Sequence, residues 1–133
     1  MAKLKISAKD APGVIRIERN MHDEAIVVSG SLTLDSVTDE INDWIAQELE
    51  AAARDVNVLD GIIGHIKAAV TSTSTDMISV TEEKAMVKTS PFHSARITLT
   101  VIVFLIEPEE AEAIARRALA AIRKRSRGVV ASG

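Results

Sequence analysis

Apolar residues occupy alternate positions at Ile26, Val28, Leu32 and Leu34, with Gly30 in phase between them. That period of two predicts a strand with one buried face. Ahead of it, Val14, Ile15 and Ile17 precede the polar group Asn20-Met21-His22-Asp23, so a strand from Val14 to Arg19 is expected to pair with it as a hairpin. Lys3, Leu4, Lys5 and Ile6 alternate as well and predict a short edge strand whose lysines face water, set off by Pro12-Gly13.

The period changes at Asp35. Val37, Ile41, Trp44, Ile45, Leu49 and Ala52 recur at helical spacing, with Asp39, Asp43, Gln47 and Glu50 mostly off that stripe. A helix from Ser36 to Arg54 is expected, with Ser36 and Asp39 as a capping box or Asp35 as the N-cap. Beyond the loop Asp55 to Gly61 the strand pattern returns. Ile62, Gly64, Ile66, Ala68 and Val70 fall in one phase, and Ile63, His65, Lys67, Ala69 and Thr71 in the other. The Ser/Thr-rich stretch Thr71 to Thr75 is expected to end this strand, and Met77–Val80 and Ala85–Thr89 to form a small hairpin around Thr81-Glu82-Glu83-Lys84. Arg96 to Ile106 is the strongest strand, rich in β-branched residues. Pro108 opens a helix expected to reach Lys124, with Ala111, Ile114, Ala115, Ala118, Leu119 and Ile122 as its apolar stripe.

The order ββ-α-βββ(β)-α places the chain in the α+β class: a mostly antiparallel sheet of about five or six strands with both helices on one face. Residues 1–125 form a single domain in this reading, and 126–133 a flexible tail without periodic pattern. In the last strand Ile97, Leu99, Val101, Val103 and Leu105 make one face. Arg96, Thr98 and Thr100 begin the other, but Ile102, Phe104 and Ile106 complete it. A strand apolar on both sides asks for a second layer, and with no third helix available the expected cover is another copy of the chain, most simply a symmetric dimer with Ile102, Phe104 and Ile106 in the interface. The alternative is that Lys3 to Ile6 or the C-terminal tail folds over them.

Composition narrows the functions. Two phenylalanines, one tryptophan and no tyrosine, 2% in all, are too few rings for a stacking platform or a cation cage. With no cysteine there is neither a disulfide framework nor a thiolate metal site. The longest unbroken apolar run, Val101 to Ile106, falls far short of the roughly 20 residues that span a bilayer, and the N-terminus lacks a signal peptide's apolar stretch, so a cytoplasmic protein is expected. The net charge of −3 disfavours nucleic-acid binding through the overall field.

Candidate chemistry is sparse. His22, His65 and His93 stand at no metal-ligating spacing, and the first and last are expected in solvated turns and loops. Neither a G-x-S-x-G elbow nor a Walker-type loop occurs, so an interaction or regulatory module is expected rather than an enzyme, with no cofactor. Two local features stand against that background. Gly61, Gly64, His65 and Lys67 open a strand with glycines suited to a bulge or a close approach and a histidine and lysine in phase, a candidate site of small-ligand binding or catalysis. Arg123, Lys124, Arg125 and Arg127 concentrate positive charge at the C-terminus, a candidate nucleic-acid contact whose alternative is pairing with acids of the first helix.

Overall fold

The structure, a computed structural model, describes residues 11–81 and 84–132. The alternating segments form the expected hairpin of β1 (Ile15–His22) and β2 (Ala25–Val37), in register from Ile15 opposite Leu32 to His22 opposite Ala25. Its two-residue turn holds Asp23 at φ 55, a left-handed conformation that aspartate tolerates. There follow α1 (Ile41–Val58), β3 (Ile62–Thr81), β4 (Lys84–Phe104) and α2 (Pro108–Ser132). The fold is α+β, a wholly antiparallel sheet in the order β1-β2-β4-β3.

The described residues make four strands, not five or six. The difference arises at Thr71–Thr75, which continues β3 because Thr71, Ser72, Thr73 and Ser74 pair in turn with Arg96, Ala95, Ser94 and His93. Hydroxyl side chains are compatible with a strand wherever a partner supplies the ladder. The small hairpin expected farther on is the distal part of this same β3–β4 hairpin, paired from Asp76–Thr89 to Thr81–Lys84 beyond a register shift. Since β2 last meets β4 at Val37–His93, that distal part is a two-stranded ribbon extending past the sheet. The expected edge strand Lys3 to Ile6 and the turn residues Glu82 and Glu83 lie outside the described residues.

α1 begins five residues later than its pattern suggests, at Ile41 rather than Ser36, and carries no side-chain cap. Ser36 and Val37 belong to β2, where a register shift after Leu34 still lets Val37 pair with His93, so neither the capping box nor the Asp35 cap forms. At the other end the helix runs past Arg54 to Val58 and stops in a paired turn: the Gly61 N–H donates to the Val56 carbonyl and the Asp60 N–H to that of Asn57. This is the hydrogen-bond pattern of a Schellman motif, and its left-handed position, Asp60 at φ 58, is the one where glycine is favoured. Asp60→Gly is therefore expected to stabilise the chain by about 0.5–1 kcal/mol, read as a higher urea midpoint at an unchanged slope.

Both helices cover one face of the sheet. Ile26, Val28, Leu32 and Leu34 of β2 and Ala95, Ile97, Leu99, Val101 and Val103 of β4 are buried beneath Ile41, Ile45, Ala52 and Val56 of α1 and Ala111, Ile114, Ala115, Ala118, Leu119 and Ile122 of α2. The three alanines make α2 thin enough to lie close on the strands. A Cβ added to Gly30 of β2 would stand 2.7 Å from Leu119 Cδ1 and 3.0 Å from Ile17 Cδ1. Glycine here is a packing requirement that brings helix and sheet together. α2 also continues through the segment expected as a tail from Ser126: Ser126 is buried and its hydroxyl lies 3.5 Å from the Ser36 carbonyl.

Candidate interaction surface at one end of the sheet

Strand alternation in β3 breaks at Gly64. Ile63 pairs with Val103, but the next pair is His65 with Ile102, so Gly64 and His65 together oppose one residue. This bulge reverses the expected phase: Ile63, Ile66, Ala68 and Val70 pack against the core, while Ile62 stands 54% exposed on the uncovered face. Glycine at the bulge admits the side chains of β4, because a Cβ on Gly64 would meet Phe104 Cε2 at 3.1 Å and Ile102 Cγ2 at 3.2 Å. Ile102 and Phe104 are accordingly half-buried, lying over the glycine instead of standing free.

Ile106 does not join them. β4 ends at Phe104, and Leu105 at φ 67 turns the chain in a left-handed conformation that carries Ile106 back against the core. There it fills the space beside Gly61, whose added Cβ would meet Ile106 Cγ2 at 2.6 Å and Val56 Cγ1 at 2.9 Å. The two glycines of the Gly61–Lys67 stretch thus answer to packing. His65 and Lys67 are exposed on the uncovered face, one residue apart on β3.

The register brings other apolar residues to this end. Met21 opposes Ile26, Ile26 opposes Val103, and Val103 opposes Ile63, a single row across the sheet; Phe104 opposite Ile62 forms the next. Of the large apolar side chains exposed among the described residues, all but Val14 lie here: Met21 on the outer strand, Val58 and Leu59 where α1 stops, Ile62 where β3 starts, and Leu105 beyond β4. Leu105 is 71% exposed, so a bulky apolar residue occupies a strained backbone position and still faces water. Sequence reading reached Phe104 but not the rest, because the row is built by pairing between distant segments. The only local signal was Val58, which falls off the helical stripe that Ala52 continues through Val56 and Leu59.

The basic C-terminal residues are divided between engaged and exposed ones. Arg125 reaches Glu48 Oε2 at 3.0 Å and Gln47 Oε1 at 2.6 Å on α1, Arg117 pairs with Asp55, and Arg123 donates to the Gly13 carbonyl at 3.0 Å. Lys124 and Arg127 are exposed. His93 is not solvated: it lies within β4 with its side chain 13% exposed, Nε2 3.3 Å from Asp39 Oδ1 and Nδ1 without a hydrogen-bond partner among the described residues. His22 is exposed at the end of β1. Among the described residues no three His, Asp or Glu side chains gather as metal ligands, and no helix is long and apolar enough to cross a membrane. Compared with protein-family models, curated proteins and solved structures, the chain matches none.

Proposed function

We propose that this chain is a non-enzymatic interaction module that associates with a second copy of itself through the apolar end of its sheet. The observation that carries the reading is the gathering of Met21, Val58, Leu59, Ile62 and Leu105 at one end of the domain. Met21, opposite the core residue Ile26, lies on the helix-covered face of one edge strand and Ile62 on the uncovered face of the other, so a partner would cap the end of the sheet, and burying each side chain is worth about 1.5–3 kcal/mol when complete. Phe104 and Ile102 extend the group onto the uncovered sheet face, while Ile106 belongs to the core.

The rim of this end requires that contact with a two-fold partner rest mainly on apolar burial. Asp23, Glu24, Asp60 and Glu107 surround it, with Arg19 engaged by Glu109 and Glu112 and Arg117 by Asp55, while Arg54, one turn before Val58, is exposed. An acidic rim opposes approach of a polyanion and, across a two-fold axis, places like charges near one another. Sedimentation velocity of the full chain at micromolar concentration is therefore expected to show a dimer that tightens as sodium chloride is raised, because salt screens the rims and leaves apolar burial intact. A strict monomer over that range would sink the proposal. So would association that weakens steeply with salt, the behaviour of a contact made through opposite charges.

A further inference from the structure

A second feature lies at the opposite end of β2, in the angle between that strand and the last turns of α2. A cleft of about 330 Å³ opens there, floored by Leu34 and bordered by Pro12 and Gly13 before β1 and by Arg123 and Arg127 on the helix. The two arginines are four residues apart, so both project over the cleft from one helix face. Like charges at that spacing repel, and neither forms an ion pair among the described residues. Arg117 and Arg125 of the same helix do pair with acids of α1. Arg123 and Arg127 border the cleft without an acid partner among the described residues, whereas Arg116, equally without one, is exposed elsewhere on the helix.

Other polar groups there are incompletely used. Arg123 donates one N–H to the Gly13 carbonyl at 3.0 Å and keeps four of the five donors a guanidinium carries. Ser126, between the arginines and 5% exposed, reaches only a carbonyl 3.5 Å away. Gly13, at φ 82, a backbone conformation that favours glycine, lies beside Arg127, whose Nη2 would stand 3.5 Å from a Cβ placed on it. Asp35 supplies the one negative charge in the lining, so the cleft carries a net single positive charge beside an apolar floor.

We infer that this cleft binds a small organic carboxylate. Its carboxylate is held by the guanidinium forks of Arg123 and Arg127, and its apolar body lies on Leu34 and Pro12. A monoanion completes the charge of two arginines and one aspartate, and planar guanidinium forks match a carboxylate's geometry. The volume suits a compact molecule, being at the lower end of small-ligand sites.

The test is a titration of the ¹⁵N-labelled full chain with sodium benzoate at fixed ionic strength, following the Gly13, Ser36 and Ser126 amides by NMR. Saturable shifts with a Kd of about a millimolar are expected. Inorganic phosphate and benzyl alcohol, which lack respectively the apolar body and the charge, are expected to bind at least about tenfold more weakly. Arg127→Gln is expected to weaken benzoate about tenfold, and Arg117→Gln, on the same helix but paired with Asp55, to leave it unchanged. Arg123→Lys serves as a second variant, retaining charge while losing the fork, and is expected to weaken benzoate as Arg127→Gln does. Failure to saturate, equal affinity in Arg127→Gln, or tighter binding of phosphate or benzyl alcohol would each overturn the assignment. Neither outcome bears on dimerisation, which uses the other end of the sheet.

Discussion

Leu119→Ala is expected to lower stability by about 3–4 kcal/mol, a large share of the total for a domain of this size and enough to reduce the melting temperature by roughly 10 °C. Leu119 is fully buried, and its Cδ1 lies over Gly30 of β2. Truncation removes that contact without letting the helix settle closer, since Ala115 and Ala118 beside it are already buried at alanine size. The cavity therefore persists and adds to the lost transfer free energy. Gly30→Ala alone is expected to cost about 1–2 kcal/mol, because its methyl would enter space held by Leu119 and Ile17. Combined with Leu119→Ala, the same methyl enters the cavity and becomes stabilising, giving a coupling of about 1–3 kcal/mol. Urea melts followed through Trp44, the sole tryptophan in a chain without tyrosine and one that packs partly buried against the core, would measure all three variants. Additive losses would show that Gly30 is glycine for some reason other than the passage of α2.

How much of this could be read along the chain depends on whether the determining contact is local. The buried face of β2 is written in its own alternation, and the stripe of α2 in its own periodicity; both appear in the structure residue for residue. Boundaries were less legible. Val37 fits the helical stripe and is out of phase with the alternation of β2, yet a register shift after Leu34 lets it pair with His93, more than fifty residues away, in the ladder. Gly64 marked a bulge but not its direction, and a single inserted residue exchanges Ile62 and Ile63 between the core and the uncovered face. Ile106 continued the alternation of its strand on paper. The left-handed turn at Leu105 removed it to the core, and nothing in the residue type foretells that conformation. The cleft under Arg123 and Arg127 was hidden for a different reason: the basic cluster is uniform in sequence, and only the ion pair of Arg125 with Glu48 separates its members.

Leu105 offers the sharpest separation of stability from association. A folded monomer gains nothing evident from a leucine at φ 67 and 71% exposed, for its side chain is mostly in water and its backbone is in a region leucine disfavours by about 1–2 kcal/mol. Asparagine accepts that conformation and loses nothing by facing solvent. Leu105→Asn is therefore expected to raise monomer stability by about 0.5–1 kcal/mol while weakening the dimer. In a two-fold interface each substitution acts twice, so partial loss of burial at both leucines, about 2–3 kcal/mol together, corresponds to a Kd roughly 30- to 150-fold higher. Stability must be compared below the dissociation constant, since dimerisation itself stabilises the folded state by mass action. Denaturant melts at high dilution and sedimentation at micromolar concentration would read the two effects separately. If the variant became less stable and dimerised as before, Leu105 would serve the turn into α2 and the proposed interface would lose its most exposed contributor from that turn.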